Sequence, residues 1–326
     1  MALPEVLTRP LRLPVIASPM FIASGPQLVT AQCQAGVIGA FPTLNARPAE
    51  LLDEWLHEIE ESNEAYAKAN PDKPVGAVAA NLIVHRSNNR IEADLETIVK
   101  HQVPIVITSL GARTEVNDAV HSYGGIVLHD VIHNGFAHKA IEKGADGLIL
   151  VAAGAGGHAG MLSPFAFLNE VRAWFDGPIA LSGALAHGRS VLAAQAAGAD
   201  FAYVGSVFLS TPEAQVTDGY RQMIVDSTAS DIVYTNLFTG VHGNYLRGSI
   251  EAAGLDPDNL PESDPSKMNF GSGGSEKSKA WRDIWGSGQG IGTIDASLPA
   301  GELVARLADE YEAAKADMLA TLGVSS

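Results

Sequence analysis

Short apolar runs without polar alternation recur along the chain: Val15–Ala17, Ile38–Thr43, Val75–Asn81, Ile105–Thr108, Ile126–His129, Gly147–Val151, Ile179–Leu181 and Phe201–Val204. A run of this kind reads as a strand buried on both faces, as in a parallel sheet. Between the runs the apolar positions take helical spacing. Leu51, Leu52, Trp55, Leu56 and Ile59 form one stripe within Pro48–Asn70, and Ile91, Leu95, Ile98 and Val99 form another within Ile91–His101. The Ala-rich stretch Ser190–Ala197 stops at Gly198, where a helix would end on a left-handed residue. The hexad Glu142-Lys-Gly-Ala-Asp-Gly147 is echoed by Ala196-Ala-Gly-Ala-Asp-Phe201. Each reads as a helix end, a glycine stop and a strand start, the internal echo of a repeated unit.

Eight strands alternating with helices predict the α/β class and a (β/α)8 TIM barrel over residues 1–230. A doubly wound open sheet is the competing arrangement. From 231 to 326 the pattern changes to an irregular segment and a C-terminal helix packed on the barrel. Gly254–Ser278 is rich in Pro, Ser, Gly and Asp and reads as a lid. Ala300–Leu322 reads as the helix, with Leu303, Leu307, Tyr311 and Ala314 on one face.

Composition narrows the function classes. The chain has 326 residues and a formal charge of −16, which disfavours nucleic acid and anionic membrane surfaces as partners. A single cysteine, Cys33, fits a reducing compartment. No apolar run reaches the length of a membrane span and residues 1–14 lack a signal-peptide core, so a cytoplasmic location is expected.

In a barrel of this type the chemistry lies beyond the C-terminal strand ends. Those positions hold Ser18-Pro19-Met20, Thr43-Leu44-Asn45, Asn81, Ser109, His129-Asp130, Gly154–Gly160, Ser182-Gly183 and Gly205-Ser206. No Lys is among them for a Schiff base, and Asp130 is the lone carboxylate, so neither an aldolase nor a metal site is expected. The remaining set suits a large, hydrogen-bonding cofactor with a phosphate, and Ser182-Gly183 with Gly205-Ser206 stand where barrels hold phosphate. The Gly154–Gly160 run contains G-x-G-x-x-A, but the next strand does not end in the acidic residue of a dinucleotide fingerprint. Its backbone is expected against a flat ligand with His158 above it as a general base; a solvent loop is the plainer alternative. His129, His133 and His138 invite a metal reading, and a polar or cofactor contact is preferred. His242 lies in a Gly-rich loop. In Trp281–Gly292, Trp285 would be a wall and Gln289 a hydrogen-bonding group, the alternative being a hinge with Trp285 in the core.

Six pieces in this order carry a resemblance: Ala17-Ser-Pro-Met20, Ala80-Asn-Leu82, Gly156-Gly-His-Ala-Gly160, Leu181-Ser-Gly183, Tyr203-Val-Gly-Ser-Val-Phe208 and Ile284-Trp-Gly-Ser-Gly-Gln-Gly290. Over nearly its whole length the chain resembles the FMN-dependent nitronate monooxygenases. The resemblance implies FMN as cofactor and oxidation of alkyl nitronates by O2 to a carbonyl compound and nitrite. It implies that Met20 touches the flavin through its main chain and that Asn81 hydrogen-bonds it. His129 stands where the family often has a flavin-contacting Lys. By the same resemblance Gly157 would lie against the ring and His158 would match the catalytic histidine. Ser182, Gly183, Gly205 and Ser206 would hold the phosphate, and Gln289 and Gly290 would close over the cofactor. Where the family often has Ser-Gly-Gly, this chain has Ser182-Gly-Ala184. The expected partners are a small-molecule substrate and O2, in a chain able to form a homodimer. Alternatives are an NAD(P)H-dependent reductase of a quinone or of an enoyl CoA or carrier-protein thioester, a flavin-free lyase or isomerase using His158 and Asp130, and a non-catalytic FMN-binding protein. Lys267, Lys277, Lys279 and Arg282 are a counter-signal toward the first of these, since they could receive a nucleotide or CoA phosphate; a solvated basic patch on an acidic protein is the preferred reading.

Overall fold

The computed structural model describes residues 3–264 and 284–323. Eight parallel strands form the barrel: β1 (Val15–Ala17), β2 (Gly39–Pro42), β3 (Val78–Ile83), β4 (Ile105–Ser109), β5 (Ile126–Val131), β6 (Gly147–Val151), β8 (Ile179–Ser182) and β9 (Phe201–Val204). They are ordered β1-β9-β8-β6-β5-β4-β3-β2. A parallel bridge between Ile16 and Ile38 joins the two ends of that order, with Ala17 N donating to Ile38 O at 2.8 Å. The eight apolar runs are therefore the eight barrel strands. The third starts later than its apolar pattern, because Gly76 N donates to Cys33 O rather than to a neighbouring strand.

Side chains alternate along each strand. Ile16, Ile38, Ala79, Ile105, Ile107, Leu128, Ile149, Ala180 and Tyr203 fill the interior, and Leu7 of α1 (Glu5–Thr8) joins them where the strands begin. Val15, Ala80, Val106, Val127, Leu148, Leu181 and Val204 face outward onto the helices. Among those helices, α3 (Leu51–Ala69) buries Leu52, Leu56 and Ile59 of its expected stripe, and α4 (Ile91–Lys100) buries Ile91 and Ile98. Each such side chain contributes about 1.5–3 kcal/mol when fully buried.

The repeated hexad has one atomic meaning in both copies. Gly144 (φ +97°) and Gly198 (φ +109°) end α6 (Asn134–Glu142) and α8 (Gly188–Ala196) in the left-handed region. The Asp that follows then accepts the N–H at or near the start of the preceding strand: Asp146 from Val127 at 2.7 Å, Asp200 from Ile179 at 2.8 Å.

Beyond the barrel, β10 (Ile232–Thr235) and β11 (Gly243–Leu246) form an antiparallel ribbon that adds a third strand, β7 (Gly157–His158), from the excursion after β6. The expected lid is described up to Asp264; its remainder, with Lys267, Lys277, Lys279, Trp281 and Arg282, lies outside the described residues. The C-terminal helix (Ala300–Leu322) buries Leu303, Leu307 and Ala314. It is tied to α8 by Tyr311 Oη donating to Gln195 and Gly188 N donating to Glu310. Among the described residues no helix is long and apolar enough to cross a membrane.

Candidate active site

The period of two selects which strand-end residues look into the barrel mouth. Counting on from the interior positions gives Ser18, Asn81, Ser109, Asp130, Ser182 and Gly205. Three of them are joined on adjacent strands. Asn81 Nδ2 donates to Ile107 O at 3.0 Å and to Ser109 Oγ at 2.7 Å, and Ser109 Oγ donates to Asp130 Oδ2 at 2.6 Å. Burial pushes the Asp130 carboxyl up to about 6, against the pull of its bonds from Ser109 and the Leu110 N–H.

The same parity corrects the reading of His129. It pairs in register with Thr108, and its Nδ1 lies 2.6 Å from the Thr108 hydroxyl; both follow outward-facing Val127 and Val106. The imidazole sits between sheet and helices at 5% exposure. The mouth position of this strand belongs to its neighbour, Asp130. His133 and His138 do not converge with it: the first caps α6 and stacks on Phe136, the second stacks on Trp174. Among the described residues no group of three or more metal-ligating side chains assembles.

His158 is held by pairing across the fold. Gly157 and His158 pair with Asn244 and Gly243, and Ala159 N donates to His242 O at 3.2 Å. This β-pairing places His158 on a strand rather than on a solvent loop. Its Nε2 lies 3.0 Å from Thr239 Oγ1, whose own proton goes to Val241 O at 2.9 Å. Nε2–H is then the donor, and the ring's lone pair is on Nδ1. Desolvation pushes His158 down to about 4, so the ring is neutral at physiological pH. His242 is exposed and stacks on Tyr234, whose hydroxyl donates to Ala159 O at 2.9 Å.

The Gly-rich segments meet one another. Gln289 N and Ala184 N both donate to Gly154 O, at 2.9 and 3.2 Å, and Gly288 N donates to Ser206 Oγ at 2.9 Å. A Cβ on Gly156 would lie 2.8 Å from Gly288 N, and one on Gly290 would lie 2.9 Å from Ala184 O. Several of these glycines are therefore required by backbone packed on backbone. Gln289 and Gly290 consequently clamp the turns after β6 and β8, beside Ser182 and Gly183. Gly157 differs: at φ +64° a Cβ would meet nothing within 4 Å.

Met20 lies beside Gly205, its Sδ 3.7 Å from where a Cβ would be. Its main chain is engaged within the protein, N–H to Ser24 Oγ at 3.0 Å and carbonyl to Asn45 Nδ2 at 2.9 Å. The thioether, rather than the main chain, is what it turns toward Gly205. Trp285 stacks on Tyr220 with centroids 4.9 Å apart and belongs to the packing of the tail. Ala184 takes φ +56° where glycine would be unstrained, which explains why the resembling family often has Gly there. Thr239, which reaches His158 across 81 positions, is a site residue that strand-end reading did not select, and the strand-end residue Ser109 gains its meaning from Asn81 and Asp130.

These titrating groups give a testable pH profile. His129 and His158 are both lowered from 6.5 to about 4 by burial. Between those values the unfolded chain binds protons that the folded chain refuses, so stability falls as pH falls. Asp130, raised to about 6, acts in the opposite direction over its own window, since there the folded state holds the extra proton. Two histidines against one carboxyl leave a net loss toward acid. For His129 the displacement is worth on the order of 3 kcal/mol. Urea unfolding at about pH 7 and about pH 5 should show lower stability at the acid point, with a smaller drop in His129→Gln. An identical drop in that variant would remove His129 from the account.

Comparison with known proteins agrees with this geometry. The nitronate monooxygenase family model matches residues 7–310. A nitronate monooxygenase of Paraburkholderia phytofirmans is 24% identical, with 92% of each chain covered. A hydroxy-methyl-oxo-octahydroindene carboxyl-CoA dehydrogenase of Rhodococcus jostii is 26% identical over 74% of this chain and 68% of its own. Among solved structures, nitroalkane oxidase from Streptomyces ansochromogenes superposes with a TM-score of 0.80 at 22% identity, covering 96% of this chain and 100% of its own. FabK from Thermotoga maritima superposes at 0.77 and 21%, covering 97% of both. With a barrel mouth of this composition and a family match across nearly its whole length, the chain belongs to the nitronate monooxygenase family and is an enzyme of the flavin oxidoreductase type.

Proposed function

We propose that the protein is an FMN-dependent oxidoreductase that oxidises alkyl nitronates with O2, releasing a carbonyl compound and nitrite. The observation that carries the reading is His158, a neutral imidazole fixed by Thr239 on a strand leading from the end of β6. The residues present fit the cofactor. Gly157 leaves open space, and Gly205 takes φ −120° with Ser18 Cβ as its nearest contact at 3.2 Å. Ser182, Gly183, Gly205 and Ser206 would hold the phosphate, and Asn81 would hydrogen-bond the ring. Bound there, FMN supplies the redox chemistry between substrate and O2. His158 Nδ1 would accept the α-proton of a neutral nitroalkane. An anionic nitronate beside the ring would raise its proton affinity and let the imidazolium hold the negative charge. Ile132, Phe136, Met161, Leu162 and Phe165, exposed on the segments after β5 and β6, offer the alkyl part an apolar rim.

An alkyl nitronate or propionate 3-nitronate should drive O2 consumption and nitrite release with no pyridine nucleotide added, followed by oxygen electrode and nitrite assay. NADH and NADPH should reduce the flavin slowly or not at all. Fast reduction by either, with no nitrite from any nitronate, would overturn the reading.

That outcome would favour a second reading, reduction or oxidation of a CoA thioester. Two observations speak for it: the name of the Rhodococcus relative, and the exposed Arg47 and Arg86 on the segments after β2 and β3, placed to meet phosphates on an acidic chain. Anaerobic mixing with candidate donors while flavin absorbance is followed separates the two.

A further inference from the structure

We propose that Ser109, itself oriented by Asp130, is a positioning residue that together with Ile107 O holds the Asn81 amide with its carbonyl oxygen, rather than its amino group, toward the flavin. The site would then recognise a ring N–H of the cofactor. The inference rests on the flavin-binding reading above and adds to it a direction of recognition.

The direction follows from one backbone atom. Asn81 Nδ2 lies 3.0 Å from Ile107 O, which can only accept. Exchanging the amide's nitrogen and oxygen would set two acceptors against each other, so the orientation is fixed. The second amide hydrogen then points at Ser109 Oγ, 2.7 Å away, and Ser109 must accept it. The Ser109 proton is left for Asp130 Oδ2 at 2.6 Å. The chain of donors runs Asn81 to Ser109 to Asp130, with the carboxylate as the terminal acceptor. Both amide hydrogens of Asn81 are consumed inside the wall. What the side chain can still present is its oxygen, and a ligand meeting it must bring a donor.

Asp130 is itself held to this task. The Leu110 N–H donates to its carboxylate, and Leu110 takes φ +61°, a left-handed conformation that an ordinary leucine avoids at a cost of about 1–2 kcal/mol. Tyr203, its hydroxyl bonded to Ser18, lies close enough to Asp130 to feel its charge. The flavin ring system carries one imide N–H in its pyrimidine portion, and that is the donor such a site would select.

The test uses FMN and its N3-methylated analogue, in which that donor is removed. Each is titrated into flavin-stripped protein with dissociation constants read from fluorescence. Wild type should prefer FMN by about tenfold, the worth of one hydrogen bond left unmade in a closed site. Asn81→Ala should abolish the preference. Ser109→Ala should shrink it several-fold although Asn81 remains, because the amide keeps its bond to Ile107 O but loses the second anchor that sets its oxygen on the ring N–H. Ser109→Thr, which restores the hydroxyl, should recover it. A structural role alone would weaken both ligands equally. Wild type binding FMN without preferring it, or an unchanged preference in Ser109→Ala, overturns the proposal while leaving the flavin reading standing. Failure of wild type to bind either flavin overturns both.

Discussion

His158→Asn should keep its flavin and lose about 10²–10⁴-fold in turnover, the usual contribution of a positioned general base. The asparagine amide can still donate to Thr239 Oγ1, so the β7–β11 pairing is expected to survive. What disappears is the lone pair on the ring. Neutral nitroalkane must lose its α-proton before oxidation, whereas preformed nitronate has already lost it. If His158 acts as the base, the variant should suffer more on nitroalkane than on nitronate. Equal losses would assign the ring to holding the anion. The low proton affinity of His158 sharpens the expectation: with its pKa near 4 the free enzyme carries the neutral, base-competent form throughout the neutral range. The kcat/KM on neutral nitroalkane should therefore fall only as acid protonates the ring. Near-normal activity of the variant on both substrates would leave His158 without a chemical role.

The strands were legible because buried parallel strands carry no polar alternation, and all eight apolar runs entered the barrel. The helix stops at Gly144 and Gly198 were legible for a similar reason, since a left-handed residue after an Ala-rich run has few candidates. The errors came where one residue of phase decides. His129 and Asp130 are neighbours, and a strand sends neighbours to opposite faces. Locating the strand end was insufficient; phase had to be carried forward from Ile126 and Leu128, both interior residues. The glycine segments misled differently. Close approach was rightly expected, but at Gly156 and Gly290 the approaching group is other backbone of this chain, more than 100 residues away in sequence. No local pattern announces that partner. Thr239 belongs to the same category, because its position opposite His158 depends on the register of an antiparallel ribbon formed between distant segments.

Replacing Gly205 with leucine should cost more than 100-fold in FMN affinity while leaving the protein folded. The two glycines of the expected phosphate site are not equivalent as probes. Gly183 sits at φ +138°, and a Cβ there would lie 2.7 Å from Ala153 O, so any side chain strains the backbone whether or not a ligand binds nearby. Loss of flavin in a Gly183 variant would report misfolding as readily as a blocked site. Gly205 has φ −120°, and its nearest neighbour is Ser18 Cβ at 3.2 Å, a contact that a few tenths of an ångström relieves. The remaining leucine atoms must project toward the mouth, where the turn into Ser206 would otherwise approach the phosphate. Gly205→Ala adds the Cβ alone and should weaken FMN by a smaller factor. Thermal melting without added flavin would show whether the fold is intact, and flavin absorbance after dialysis would show whether cofactor is retained. A leucine variant that melts like wild type and still holds FMN would remove the phosphate from this turn.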